Sequence, residues 1–214
     1  MKTLLGVFLL AVSSARAEDT QTTIITRLAM RNAATQHYFQ VYQTRGKWVG
    51  PDILYVDFGK GNYRETLAGA GRIWYSGQPK PKWPKLGLAQ VNYVVQTTGP
   101  ASHGAMYFLP WTKLDYKFSE RLSGNTVYFF YAPLNQAGKF HQSLERAKLE
   151  YSFCKTFKAG AGYGGSKASG KPWQNKPMLT ATVKCGALGD VEFWLQRLPG
   201  NHGQGWLRLV KTFK

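Results

Sequence analysis

From Glu18 onward the chain alternates apolar and polar side chains with a period of two, segment after segment, and carries no convincing helical stripe. The pattern is densest over residues 144–198. There Ala147, Leu149, Tyr151 and Phe153 fall on one side, and Arg146, Lys148, Glu150 and Ser152 on the other. Successive side chains of a strand point to opposite faces of its sheet. A chain patterned in this way folds into sheet with one apolar and one polar face, and the fold class is all-β.

Twelve runs carry the alternation: residues 22–30, 37–44, 52–58, 66–75, 88–97, 105–118, 126–134, 144–153, 158–163, 177–184, 191–198 and 206–213. Leu54, Val56 and Phe58 oppose Tyr55 and Asp57. Leu67, Gly69, Gly71 and Ile73 oppose Ala68, Ala70 and Arg72, and Val91, Tyr93 and Val95 oppose Asn92 and Gln96. Val127, Phe129 and Tyr131 share one face, as do Leu207, Leu209 and Phe213 with Lys211 among them. Residues 78–85 hold three prolines, which lack amide donors, and form a connection rather than a central strand. Short turns alternate with longer loops rich in Gly, Asn, Ser and Lys. No fixed-period repeat and no low-complexity linker divides the chain, so residues 18–214 are read as a single domain.

The first 17 residues have a different character: Lys2, an apolar run from Leu4 to Val12, then Ala15-Arg-Ala before Glu18. A positive start, a brief apolar stretch and an Ala-x-Ala site mark a cleavable signal peptide. Without it the chain keeps 26 basic groups against 11 acidic ones, a formal charge of +15. This excess attracts anionic partners: acidic polysaccharide, phospholipid or the phosphates of lipopolysaccharide. Export makes nucleic acid the poorest fit. Two cysteines in an exported protein would ordinarily form a disulfide. Here Cys154 and Cys185 close strands that flank a third strand, about 9–10 Å apart at the usual spacing, which is beyond the reach of a bridge. No His or Cys cluster has the spacing of a metal site, no Gly-rich phosphate loop is present, and no cofactor is expected.

Alternation alone suits a soluble β-sandwich binding an anionic ligand as well as a membrane barrel. The two differ in which face meets water. Three features favour the barrel. Aromatic residues end the apolar faces beside the tight turns, at Tyr75, Tyr116, Phe118, Phe153, Phe157 and Phe213, as in the aromatic girdle of a lipid interface. Small residues occupy the expected outer faces at Gly69, Gly71, Ala159 and Ala161. The strand count is even, which brings both termini to one end.

In residues 114–123, residues 149–163 and the closing residues 207–213, the chain resembles the small outer-membrane β-barrels of Gram-negative bacteria. The resemblance implies an antiparallel, up-and-down transmembrane β-barrel in the outer membrane, in contact with its lipids and lipopolysaccharide. It also implies a last strand that ends in Phe with apolar residues at alternate positions. Lys211 and Lys214 depart from that pattern. In size and in the charge expected inside, the chain looks like the twelve-stranded oligogalacturonate-specific porins, although no residue motif matches them.

With apolar faces outward, Arg27, Arg72, Lys113, Lys117, Arg146, Lys148, Lys158, Lys184 and Arg208 turn into the lumen, against Asp57, Asp115, Glu150 and Glu192. Rings of Arg and Lys at a constriction are the chemistry of an anion-selective pore. The first expectation is therefore a narrow channel for acidic oligosaccharides or phosphorylated solutes. In the opposing case charged lumen residues pair across strands and plug the barrel, with Lys148 and Glu150, or Lys113 and Asp115, as partners for neighbouring strands. A lipid-modifying hydrolase would need a histidine beside a nucleophile, for which His37, His103, His141 and His202, with Ser102 and Ser143, are the candidates. A non-catalytic surface barrel would use the basic loops with Lys139, Lys167, Lys171, Lys176 and Trp173. The sequence does not fix the solute or the oligomeric state.

Overall fold

The computed structural model describes residues 20–31, 34–59, 62–198, 200 and 202–213. The expected signal peptide, residues 1–17, lies outside these residues. Twelve strands follow one another: β1 (Thr20–Arg31), β2 (Ala34–Arg45), β3 (Trp48–Asp57), β4 (Arg64–Gly77), β5 (Lys85–Thr98), β6 (Met106–Lys117), β7 (Leu122–Pro133), β8 (His141–Ser152), β9 (Phe157–Ala168), β10 (Gln174–Lys184), β11 (Asp190–Leu198) and β12 (His202–Phe213). Each pairs antiparallel with its neighbour in sequence, and β1 pairs with β12 from Thr22↔Phe213 to Met30↔Gly205, which closes the barrel. Closure leaves no sheet edge with unpaired amides. Among the described residues no helix is long and apolar enough to cross a membrane.

One end of the barrel carries the β2–β3, β4–β5, β6–β7, β8–β9 and β10–β11 connections, the start of β1 and the end of β12. Gly46 makes the tightest of these, with φ of +56° where a side chain is disfavoured. Phe118, Phe153, Phe157 and Phe213 are exposed at this end, Tyr75 flanks the proline-rich connection, and Tyr116 packs edge-on against Phe118. The expected six aromatics therefore share one end. Residues 165–176 do not form one long loop, because β9 runs on to Ala168 and β10 starts at Gln174.

The two walls of the barrel are built in opposite senses. From β8 round to β12 the outward residues are apolar: Leu149 and Tyr151, then Leu179 and Leu195 at 63% and 65% exposure, then Leu207 and Leu209. Across β3 to β7 the apolar residues turn inward instead. Leu54, Val56, Leu67, Val91, Tyr93, Val95, Tyr107, Leu109 and Tyr131 form a packed core inside the barrel. The expectation of outward apolar faces therefore fails for Leu54, Val56, Leu67, Val91, Tyr93, Val95, Val127 and Tyr131. Gly69 and Gly71 also face inward, where a Cβ on Gly69 would stand 2.6 Å from the Tyr93 ring. In that half apolar side chains pack inside the barrel, as in a soluble protein.

Candidate site: a charged layer across the barrel

Opposite the apolar core, β8, β9, β11, β12 and β1 send charged side chains inward. Sequence alternation places Arg146, Lys148 and Glu150 there, and they are almost fully buried. Glu145 joins them because the β7–β8 and β8–β9 registers shift between residues 144 and 147, a bulge that turns two consecutive side chains inward. Arg146 Nη1 lies 2.7 Å from Glu145 Oε2, and Arg27 of β1 pairs with the other oxygen of the same carboxylate. Arg146 Nε also donates to Asn125 Oδ1 at 2.6 Å. Lys148 Nζ stands 3.0 Å from Glu150 and 3.8 Å from Glu192, and Arg208 Nη1 reaches both oxygens of Glu192 at 3.1 Å.

The neighbouring β9 makes room for this layer with glycine. Gly160 and Gly162 face inward beside Glu150 and Lys148, where a Cβ would strike backbone of β8 at 1.9 Å and 2.8 Å. Trp194 lies at the centre of the layer, 1% exposed, with the guanidinium of Arg146 5.0 Å from its ring, Lys148 Nζ at 5.9 Å and Arg27 at 5.8 Å. Arg27 is further held 4.4 Å from each of the Tyr38 and Trp206 rings.

The layer separates two cavities. One, of about 650 Å³, opens toward the loop end and is lined by Arg27, Glu145 and Lys176 together with Tyr38, Trp111, Tyr131, Trp194 and other rings. The other, of about 1180 Å³, opens toward the short-turn end and is lined by Lys117, Lys148, Lys158 and Lys184 with Asp115, Glu150, Asp190 and Glu192. No residue lines both. Arg146 and Arg208 line neither and stand between them.

Eight of the nine expected lumen cations thus lie on inward faces: Arg27, Arg146, Lys148 and Arg208 in the layer, Lys117, Lys158 and Lys184 in the lower cavity, and Lys113 paired with Asp115 at 2.8 Å. Arg72 is the correction. It is exposed on the outer face, 5.8 Å from the Trp48 ring and 5.5 Å from the Trp74 ring. Its strand faces inward with Leu67 and Ile73, so the residues alternating with them face out. Asp57 is likewise drawn away, to Arg64 at 3.2 Å.

Sequence reasoning overlooked Glu145, Asp52 and Glu65. The odd spacing from Leu144 to Ala147, filled by two charged residues, was the visible sign of the bulge. Asp52, 2% exposed, accepts from Tyr93 at 2.6 Å and Gln40 at 2.9 Å; Glu65 accepts from Tyr131 at 2.8 Å and Tyr63 at 3.1 Å. Of the candidate histidines, His141 lines the first cavity with Ser143, and His37 is exposed. Ser102 donates to the Gly99 carbonyl at 2.7 Å within the turn that holds His103, and His141 stacks on Tyr131 at 3.9 Å. Both cysteines are free. No group of residues able to hold a metal occurs among the described residues.

No protein-family model and no curated protein matches the chain. Solved structures do. A KdgM porin in complex with disordered oligogalacturonate superposes with a TM-score of 0.58 at 11% identity, covering 90% of this chain and 98% of that one. The NanC porin superposes with a TM-score of 0.55 at 9% identity, covering 90% and 99%. At this identity the likeness is one of fold. The chain is therefore porin-like in architecture, a closed twelve-stranded antiparallel β-barrel of the size of the small outer-membrane porins.

Proposed function

We propose that the protein is an outer-membrane barrel whose charged layer admits small anionic solutes, acidic oligosaccharides or phosphorylated compounds, through a basic lumen. The observation that carries this reading is an imbalance. Arg27, Arg146, Lys148 and Arg208 meet only Glu145, Glu150 and Glu192 in the layer. Arg27 Nε, Thr180 Oγ1 and Trp194 Nε1 are buried there without a hydrogen-bond partner. Orphaned groups of this kind cost about 1–3 kcal/mol each, and an anion is the ligand that relieves a surplus cation and two N–H donors together. The solved KdgM porin of the same fold was captured with oligogalacturonate, itself a chain of acidic sugars.

Transport then runs as an exchange of partners. A carboxylate entering the upper cavity takes the place of Glu145 on Arg27 while Glu145 stays paired with Arg146, next meets Arg208 and Lys148, and leaves past the lysines of the other cavity. The aromatic lining of the upper cavity gives sugar rings faces to stack on. Each step swaps one charge-assisted hydrogen bond for another, so no bare charge is left in the low-dielectric layer. The ion pairs that keep the layer closed also keep the barrier to small cations high.

The test is conductance of the refolded, heat-modifiable barrel in a planar bilayer under a potassium chloride gradient. Anion-selective reversal potentials are expected, with selectivity lowered in Arg146→Gln and in Lys148→Gln. A folded barrel that conducts nothing, or that prefers cations, sinks the reading.

A further inference from the structure

A barrel in lipid should be apolar all round its outer wall, because hydrocarbon offers no hydrogen bonds. This one is not. On β4 and β5 the outward residues are Thr66, Ala68 and Ala70, paired with Gln96, Val94 and Asn92, and Arg72 paired with Gln90. Asn92 and Ala70 sit at the middle of their 14-residue strands, well away from either rim. Gln90 and Asn92 have only each other to bond on this face, at 3.1 Å. One amide pair of this kind leaves a carbonyl and several N–H groups still to satisfy.

We propose that this stripe is the contact surface of a homodimer, with β4 and β5 of one copy against β4 and β5 of a second across a two-fold axis along the membrane normal. The proposal rests on the outer-membrane reading above. The chemistry of the stripe selects a second copy over another occupant. Such an axis sets each residue opposite its own counterpart at the same depth, and an amide is a polar side chain that pairs with its own kind, donor to acceptor. Ala68 and Ala70 are small enough to let two walls approach closely.

The cations lie toward the two ends of the stripe, Arg64 paired with Asp57 at 3.2 Å and Arg72 beside the rings of Trp48 and Trp74. The middle of the face, Thr66, Ala68 and Ala70 with Asn92, Val94 and Gln96, therefore presents no charge that would call for an acidic partner or repel its copy. Behind it lies the packed apolar core, with Leu67 of β4 and Tyr93 of β5 in it. On the opposite side the outer wall carries Leu179, Phe193 and Leu195, which suit lipid.

The experiment uses the full chain with Cys154→Ser and Cys185→Ser as background, assembled in outer membranes, treated with a short bis-maleimide and read on a gel with and without heating. Asn92→Cys is expected to give a two-chain band. Leu195→Cys, on the far wall, is expected to stay at one chain, and the unlabelled protein in detergent should scatter light as two chains. Asn92→Leu combined with Gln96→Leu should remain heat-modifiable and run as one chain. A heat-modifiable barrel that stays single at Asn92→Cys overturns the dimer and leaves the membrane barrel standing. Equal linkage through both cysteines, a linked species of another mass, or a dimer that survives the double leucine variant overturns it as well. Recovery of the folded protein from the soluble fraction overturns the dimer and the membrane reading together, since the stripe then faces water.

Discussion

Glu145 and Arg146 are adjacent in the chain, yet both side chains enter the barrel, 2.7 Å apart, because a bulge in β8 turns them to the same side. The single carboxylate of Glu145 serves two guanidinium groups, those of Arg146 and Arg27. It is the anionic pivot of the upper half of the charged layer.

Glu145→Gln removes that pivot and leaves two buried guanidinium groups facing each other. Breaking a buried pair from one side costs about 3–5 kcal/mol. The variant is expected to unfold at lower urea concentration than wild type, followed by tryptophan fluorescence in detergent or lipid. Bound acidic sugar should recover part of the loss, because its carboxylate takes the vacated place.

Gly160 faces β8 so closely that a Cβ would stand 1.9 Å from the Leu149 carbonyl oxygen, whereas Gly203 has nothing within 4 Å. Gly160→Ala is expected to break the β8–β9 register and abolish the heat-modifiable band. Gly203→Ala should fold normally, within about 0.5 kcal/mol of wild type.

Tyr93→Phe deletes the hydroxyl that donates to Asp52 at 2.6 Å and leaves the buried carboxylate with Gln40 alone. A loss of about 1–3 kcal/mol follows from the unsatisfied acceptor. Because the two residues share one interaction, Tyr93→Phe and Asp52→Asn should be less than additive in a double-mutant cycle measured by urea unfolding.

Cys154 is exposed in the β8–β9 turn and hydrogen-bonded with Thr156 at 3.4 Å, a contact that lowers the thiol's pKa below its ordinary value. A lowered pKa means that thiolate, the reactive form, appears at lower pH. Thr156→Val should therefore move the pH-rate profile of Cys154 alkylation upward. An unmoved profile, read by mass spectrometry on the Cys185→Ser background, would contradict the contact.

The twelve strands, the antiparallel closure and the aromatic end were legible in the sequence, because period-two alternation is a local property that survives whatever the strands pack against. The inward set of Arg146, Lys148, Glu150, Glu192 and Arg208 was legible for the same reason: their neighbours Leu149, Phe193, Leu207 and Leu209 are large and apolar and belong outside. The parity of each strand was written in the chain, but the sign was not. For β3 to β7 the same alternation serves an apolar interior, and Leu67, Tyr93 and Tyr131 turn inward to fill it. That choice carried Arg72 and Asn92 to the outer wall. Only tertiary structure decided it, since the side of a strand that faces in depends on what the opposite wall brings to meet it. The bulge that adds Glu145 likewise depends on the registers of β7 and β9 against β8.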